Sequence, residues 1–162
     1  MAVKVGMVSL GCCKNQVDAE ILLALMLNNG YELCADPQEC DVVIINTCGF
    51  IEDAKKESID TIFEFAQLKK QGQLKVLVVT GCLAERYREE LATEIPEADV
   101  VLGIGKNTEI AKAVQQALDG QRVAAFGDKA DLPLNGDRVL STVGYSAYLK
   151  IAEGCDNKCS YC

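Results

Sequence analysis

Four times along this chain a short, apolar, Val- and Ile-rich run gives way to a turn and then to a stretch with one apolar face per 3.6 residues. Nothing else in the sequence restricts the fold as much. The apolar runs are residues 3–10, 41–46, 75–80 and 99–102, and continuous runs of that length read as strands buried on both faces. The stretches between them read as helices. The first covers 16–29, capped by Asn15 and closed by Gly30, with Val17, Ile21, Leu22, Leu25 and Met26 inward. The second covers 52–71, with Ile59, Ile62, Phe63 and Ala66 inward, and ends at Gly72. The third covers 84–94 and stops before Pro96. The fourth runs from a cap at Asn107 to residue 118, with Ile110, Val114 and Ala117 inward. Short strands are expected at 31–35 and 123–126. Regular alternation of strand and helix predicts an α/β domain, an open parallel sheet flanked by helices, over residues 1–126. The pattern then breaks. Residues 127–144 have the composition of a linker, and 145–152 read as the first strand of a second domain occupying 145–162.

Cysteine usage points to chemistry. The chain has nine cysteines and no histidine. Its first residues enter a strand pattern directly, without the layout of a signal peptide, and no apolar run has membrane-spanning length. A cytosolic chain of this kind is expected, and cytosolic thiols are kept reduced. Three of the nine stand together as Cys155, Cys159 and Cys162, a Cys-x3-Cys-x2-Cys loop. Thiolates are soft ligands for iron–sulfur clusters or zinc. A zinc site would want a fourth Cys or His, which is not at hand; a redox Cys-x-x-Cys or an accidental grouping is the other reading. Cys12, Cys48 and Cys82 are separated by 35 and 33 residues and make no local motif. Each nevertheless falls one to three residues past the end of a predicted strand. Open parallel sheets bind ligands outside the carboxyl ends of their strands, so the fold would deliver three thiols to one place. Cys34 and Cys40 read as ordinary packing residues, and Cys13 receives no role.

Charge narrows the partners. A net charge of −8 makes this part a poor binder of phosphate backbones, so no direct nucleic-acid contact is expected from it. It suits a basic partner instead. The glycine turn Gly103-Ile104-Gly105 opens a helix but lacks the third glycine of a dinucleotide fingerprint, and reads as turn chemistry.

Several local motifs, spread over the whole chain, carry a resemblance. They are Ser9-Leu10-Gly11-Cys12, Lys14-Asn15, Asn46-Thr47-Cys48-Gly49-Phe50-Ile51, Thr80-Gly81-Cys82-Leu83, and Ala147-Tyr148-Leu149-Lys150-Ile151 leading to Glu153-Gly154-Cys155. In order and spacing the chain resembles the N-terminal part of the radical S-adenosylmethionine methylthiotransferases. The resemblance implies a flavodoxin- or Rossmann-like first domain, then the first strand and cluster loop of a truncated (β/α) barrel. It implies an auxiliary [4Fe–4S] cluster on Cys12, Cys48 and Cys82, and a radical [4Fe–4S] cluster on Cys155, Cys159 and Cys162 that binds S-adenosylmethionine. Tyr161 is a candidate cofactor contact. Leu-Gly-Cys-Cys-Lys-Asn and Asn-Thr-Cys-Gly-Phe-Ile are similar to the branch that methylthiolates the β-carbon of an aspartate on the twelfth small-subunit ribosomal protein. The alternative is the tRNA-adenosine branch, with Gln-Met-Asn and Ser-Val-Arg at these places. Cys13 stands where the family usually has Pro, and Asp18-Ala19-Glu20 where it usually has Asp-Ser-Glu. A reductant protein and a cytoplasmic location follow from the resemblance, as does a fragment that folds but does not catalyse. Two readings of other classes are a non-catalytic cluster-binding module and a plain flavodoxin-like binding domain with incidental thiols.

Overall fold

The computed structural model describes every residue except 1, 129, 131–135, 156, 161 and 162. Six strands form one sheet: β1 (Lys4–Ser9), β2 (Glu32–Leu33), β3 (Val42–Thr47), β4 (Val76–Gly81), β5 (Val100–Leu102) and β6 (Val123–Ala125). All pair in parallel, in the order β2-β1-β3-β4-β5-β6. Every residue of β3 and β4 is buried, as apolar runs covered on both faces require.

Four helices supply that cover: α1 (Cys13–Asn28), α2 (Glu52–Lys70), α3 (Cys82–Glu94) and α4 (Ile110–Leu118). Alternate strand residues point to opposite faces. Val43, Ile45, Leu77 and Val79 meet Ile62, Phe65 and Ala66 of α2 and Leu83 and Leu91 of α3. Val42, Ile44, Val76 and Val78 meet Leu22 and Met26 of α1 and Ile110 and Val114 of α4. The strand after which the first helix leaves, β1, lies beside β3, whose helix covers the other face. Their carboxyl ends therefore bound the crevice that such sheets use for ligands.

Three details differ from the sequence reading. Asn15 is not a cap: α1 begins three residues earlier than expected, with Cys12 at its N-cap, and Asn15 is buried in the first turn. Asn107 does not cap α4 either. It lies in a 3-10 turn, Ile104–Glu109, and accepts a hydrogen bond from Thr80 Oγ1 at 2.7 Å. On α2 the inward aromatic is Phe65, while Phe63 is 43% exposed, because the buried stripe runs Ser58, Ile62, Phe65, Ala66.

Residues 145–152 are not a strand. A parallel strand exists only through a neighbour's ladder, and among the described residues no strand lies alongside. Tyr148 and Glu153 instead give their carbonyls to side chains, Arg138 Nη1 at 2.8 Å and Lys14 Nζ at 2.7 Å. Among the described residues no helix is long and apolar enough to cross a membrane.

Candidate functional site

Strand register brings three cysteine loops to one edge. Ser9 pairs with Asn46, Asn46 with Thr80, and Thr47 with Gly81. Cys12, Cys48 and Cys82 follow these positions by three residues or fewer. Adjacent strands lie about 4.8 Å apart, so the ends of β1 and β4 are separated by roughly 10 Å. Cys48 is buried and Cys12 and Cys82 are exposed.

Asn15 ties the loops together. Its Nδ2 donates to Leu10 O at 2.9 Å and to Thr47 O at 2.8 Å, the carbonyls just before the Gly11-Cys12 turn and just before Cys48. The Cys82 thiol lies 3.6 Å from its Oδ1. One buried amide thus touches all three loops. Asn46, at the end of β3, donates its Nδ2 back to Asn15 O at 2.6 Å. The Asn46 Oδ1 is buried with no hydrogen-bond partner among the described residues, an arrangement that costs about 1–3 kcal/mol. Cys48 is held by its own backbone: its N–H donates to Ser58 Oγ and its carbonyl accepts from the same hydroxyl, both at 3.0 Å.

Two glycines make the edge possible. Gly11 has φ +98°, and a Cβ there would stand 3.0 Å from Cys48 Sγ. Gly81 has φ +94°, and a Cβ there would stand 2.5 Å from Asn46 Oδ1 and from Thr47 N and O. Both dihedrals and both approaches call for glycine. Beside Cys82 a wide depression of about 860 Å³ is lined by Gly49, Phe50, Glu85, Arg86 and Phe126. Phe50 is 82% exposed at its rim.

The donors fit an iron–sulfur cluster in kind: three thiols at one sheet edge, with no disulfide among the described cysteines. They are not gathered further. Among the described residues no three Cys, His, Asp or Glu side chains are close enough together to hold one ion. Of the second set, Cys155 and Cys159 are exposed, and Cys162 and Tyr161 lie outside the described residues.

Of the remaining cysteines, Cys13 begins α1 beside Cys12, and the other two stand apart. Cys34 and Cys40 both donate to Asp36 O, at 3.3 and 3.1 Å, at the far end of the sheet. Burial, and then the neighbouring Cys34, pushes the Cys40 thiol up to about 12, so it stays protonated at neutral pH and is a poor ligand. The turn at Gly105 has no room for a phosphate: a Cβ there would meet Asp128 O at 2.2 Å, so the chain's own backbone fills the approach.

Sequence reasoning missed the charged residues of α1. Asp18 and Glu20 are buried. Lys150 Nζ reaches Asp18 Oδ1 at 2.6 Å, and Arg138 pairs with Glu20. Partners more than a hundred positions apart leave no local signal. The one available hint is that two acids sit in the middle of an otherwise apolar helix, where burial without a partner would be costly.

Residues 4–103 match the family described as Uncharacterized protein family UPF0004. The chain is 52% identical, over 98% of its length, to the ribosomal protein uS12 methylthiotransferase RimO of Clostridioides difficile, and covers 36% of that protein. It is 52% identical over 100% of its length to the RimO of Pelotomaculum thermopropionicum, covering 37% of it. The RimO of Symbiobacterium thermophilum is 50% identical over 99% of the chain, which covers 33% of that relative. The chain thus spans about a third of the length of these curated relatives and corresponds to their N-terminal part.

Proposed function

From the premise that this chain belongs to the UPF0004 family, we propose that it is the N-terminal part of a radical S-adenosylmethionine methylthiotransferase acting on ribosomal protein uS12. The observation that carries the reading is the convergence of the Cys12, Cys48 and Cys82 loops on Asn15 at the sheet's switch point. Cys12, Cys48 and Cys82 would hold an auxiliary [4Fe–4S] cluster, and Cys155, Cys159 and Cys162 a second one with S-adenosylmethionine. When bound, these groups supply the methylthio unit and the radical that opens an unactivated carbon to receive it.

The chain's own residues do the rest. Asn15 and Ser58 fix the backbone on either side of the ligand positions, which lowers the entropy lost on ligation. Buried Cys48 sits under the edge, while the exposed Cys12 and Cys82 leave it open on the outer side. Exposed Phe50 offers an apolar contact for a protein substrate. A chain of net charge −8 favours a basic ribosomal protein over tRNA. The barrel that continues from residue 145, the reductant protein and the cytoplasmic location belong to the same proposal, as does the division into 1–126, 127–144 and 145–162.

Anaerobic reconstitution with iron and sulfide tests it. Two [4Fe–4S] clusters are expected by iron count and electron resonance. C48S should lose one and C159S the other, while a triple Ser variant at Cys13, Cys34 and Cys40 should lose none. In the complete enzyme, uS12 should gain the mass of one methylthio group on an aspartate. Wild-type protein that takes up no cluster, or methylthiolation of tRNA in place of uS12, overturns the reading.

A further inference from the structure

Helix α1 carries two acidic side chains that the segment 136–153 covers. Asp18 is 7% exposed and Glu20 1%. Lys150, itself 8% exposed, donates to Asp18 at 2.6 Å and pairs with Glu153. One turn earlier on α1, Lys14 donates to Glu153 O at 2.7 Å. Arg138 grips Glu20 through Nε and Nη2, and its Nη1 holds Tyr148 O at 2.8 Å. Leu149 and Ile151, which flank Lys150, are both 83% exposed. Ions, not apolar packing, therefore hold this stretch.

That distinction matters. Apolar contact is non-directional and tolerates sliding. A buried ion pair adds little net stability, but losing one partner leaves a charge stranded, so only one register is tolerated. The two ends of the arrangement are also informative. Cys12 caps α1, so Lys14 and Asp18 lie within its first two turns. Cys155 follows Glu153 by two residues.

We infer that Asp18 is a positioning residue: with Lys14, Lys150 and Glu153 it fixes the loop of Cys155 against the start of α1 and sets the separation of the two cysteine sets. The inference rests on the reading that both sets hold clusters. It assigns α1 the task of holding two cofactors in reacting geometry.

The test uses the complete enzyme with both clusters reconstituted, comparing wild type with D18N and K150M. Both variants should keep the wild-type iron content. The dipolar coupling between the two reduced clusters should change from a narrow to a broad distribution. Release of 5′-deoxyadenosine per methylthio product should rise about tenfold, as misplacement uncouples cleavage from transfer. K150M leaves the sheet's own residues untouched and decides the matter should D18N fail to fold. Unchanged coupling and unchanged product ratio overturn the inference. Should wild type hold fewer than two clusters, the functional reading fails by itself. Asp18 is then judged by amide exchange at residues 148–153, which should quicken about tenfold in both variants; unaltered exchange overturns it.

Discussion

Asn15 is the residue on which the site turns, and its side chain has no substitute nearby. It is 2% exposed, with both donors of its amide spent on Leu10 O and Thr47 O. Asn15→Ala leaves those two carbonyls short of a donor in a place water reaches poorly. At about 1–3 kcal/mol for each orphaned group, the variant should lose roughly 2–6 kcal/mol of stability by urea denaturation. It should also take up less iron at the Cys12, Cys48 and Cys82 edge, with uptake at the second set unchanged. A variant as stable as wild type would mean that the loops hold themselves. The motif Lys14-Asn15 was legible in the sequence, but its role was not. Asn is so good an N-cap that the local reading won. Only β3, arriving from thirty residues away, supplies the second carbonyl that draws the amide inward.

As an element, α1 joins two structures at once. Leu22 and Met26 face the sheet, and Asp18 and Glu20 face the segment that follows it. Burial alone would raise the Glu20 carboxyl, but the Arg138 guanidinium and the N–H and O–H of Ser141 hold it below the ordinary value of 4.5. A carboxyl lowered in the docked state favours docking fully above pH 4.5, and the contribution fades as pH falls through the lowered value. The protection factors of the Val139 and Ser141 amides, whose N–H groups bond Glu20, should therefore fall on acidification below 4.5. E20Q should exchange faster at neutral pH and lose most of that acid dependence. An unchanged pH profile in E20Q would place the titrating group elsewhere. The 3.6-residue pattern revealed the apolar face of this helix. It says nothing about which charges are covered, because that depends on what docks.

For the whole molecule, both core clusters draw on residues between 3 and 126. A chain ending at 126 should therefore unfold in one cooperative urea transition, within about 2 kcal/mol of the 162-residue chain, since buried ion pairs contribute little net stability. A broad or stepwise transition would show that residues 136–153 belong to the core. Hydrophobic periodicity was enough to read strand, helix and parallel sheet, since burial on two faces writes itself into each local run. The shared edge for Cys12, Cys48 and Cys82 was also readable, because strand-end loops must lie on one side of a parallel sheet. Three things waited for the folded chain. The strand order β2-β1-β3-β4-β5-β6 is a matter of pairing between distant segments. The expected strand at 145–152 has the right composition but no ladder partner, and composition cannot supply one. The contacts of Asp18 with Lys150 and of Glu20 with Arg138 join residues 132 and 118 positions apart. Local sequence encodes which surfaces seek burial; which surfaces meet is settled only when the sheet has placed α1 where both can reach it.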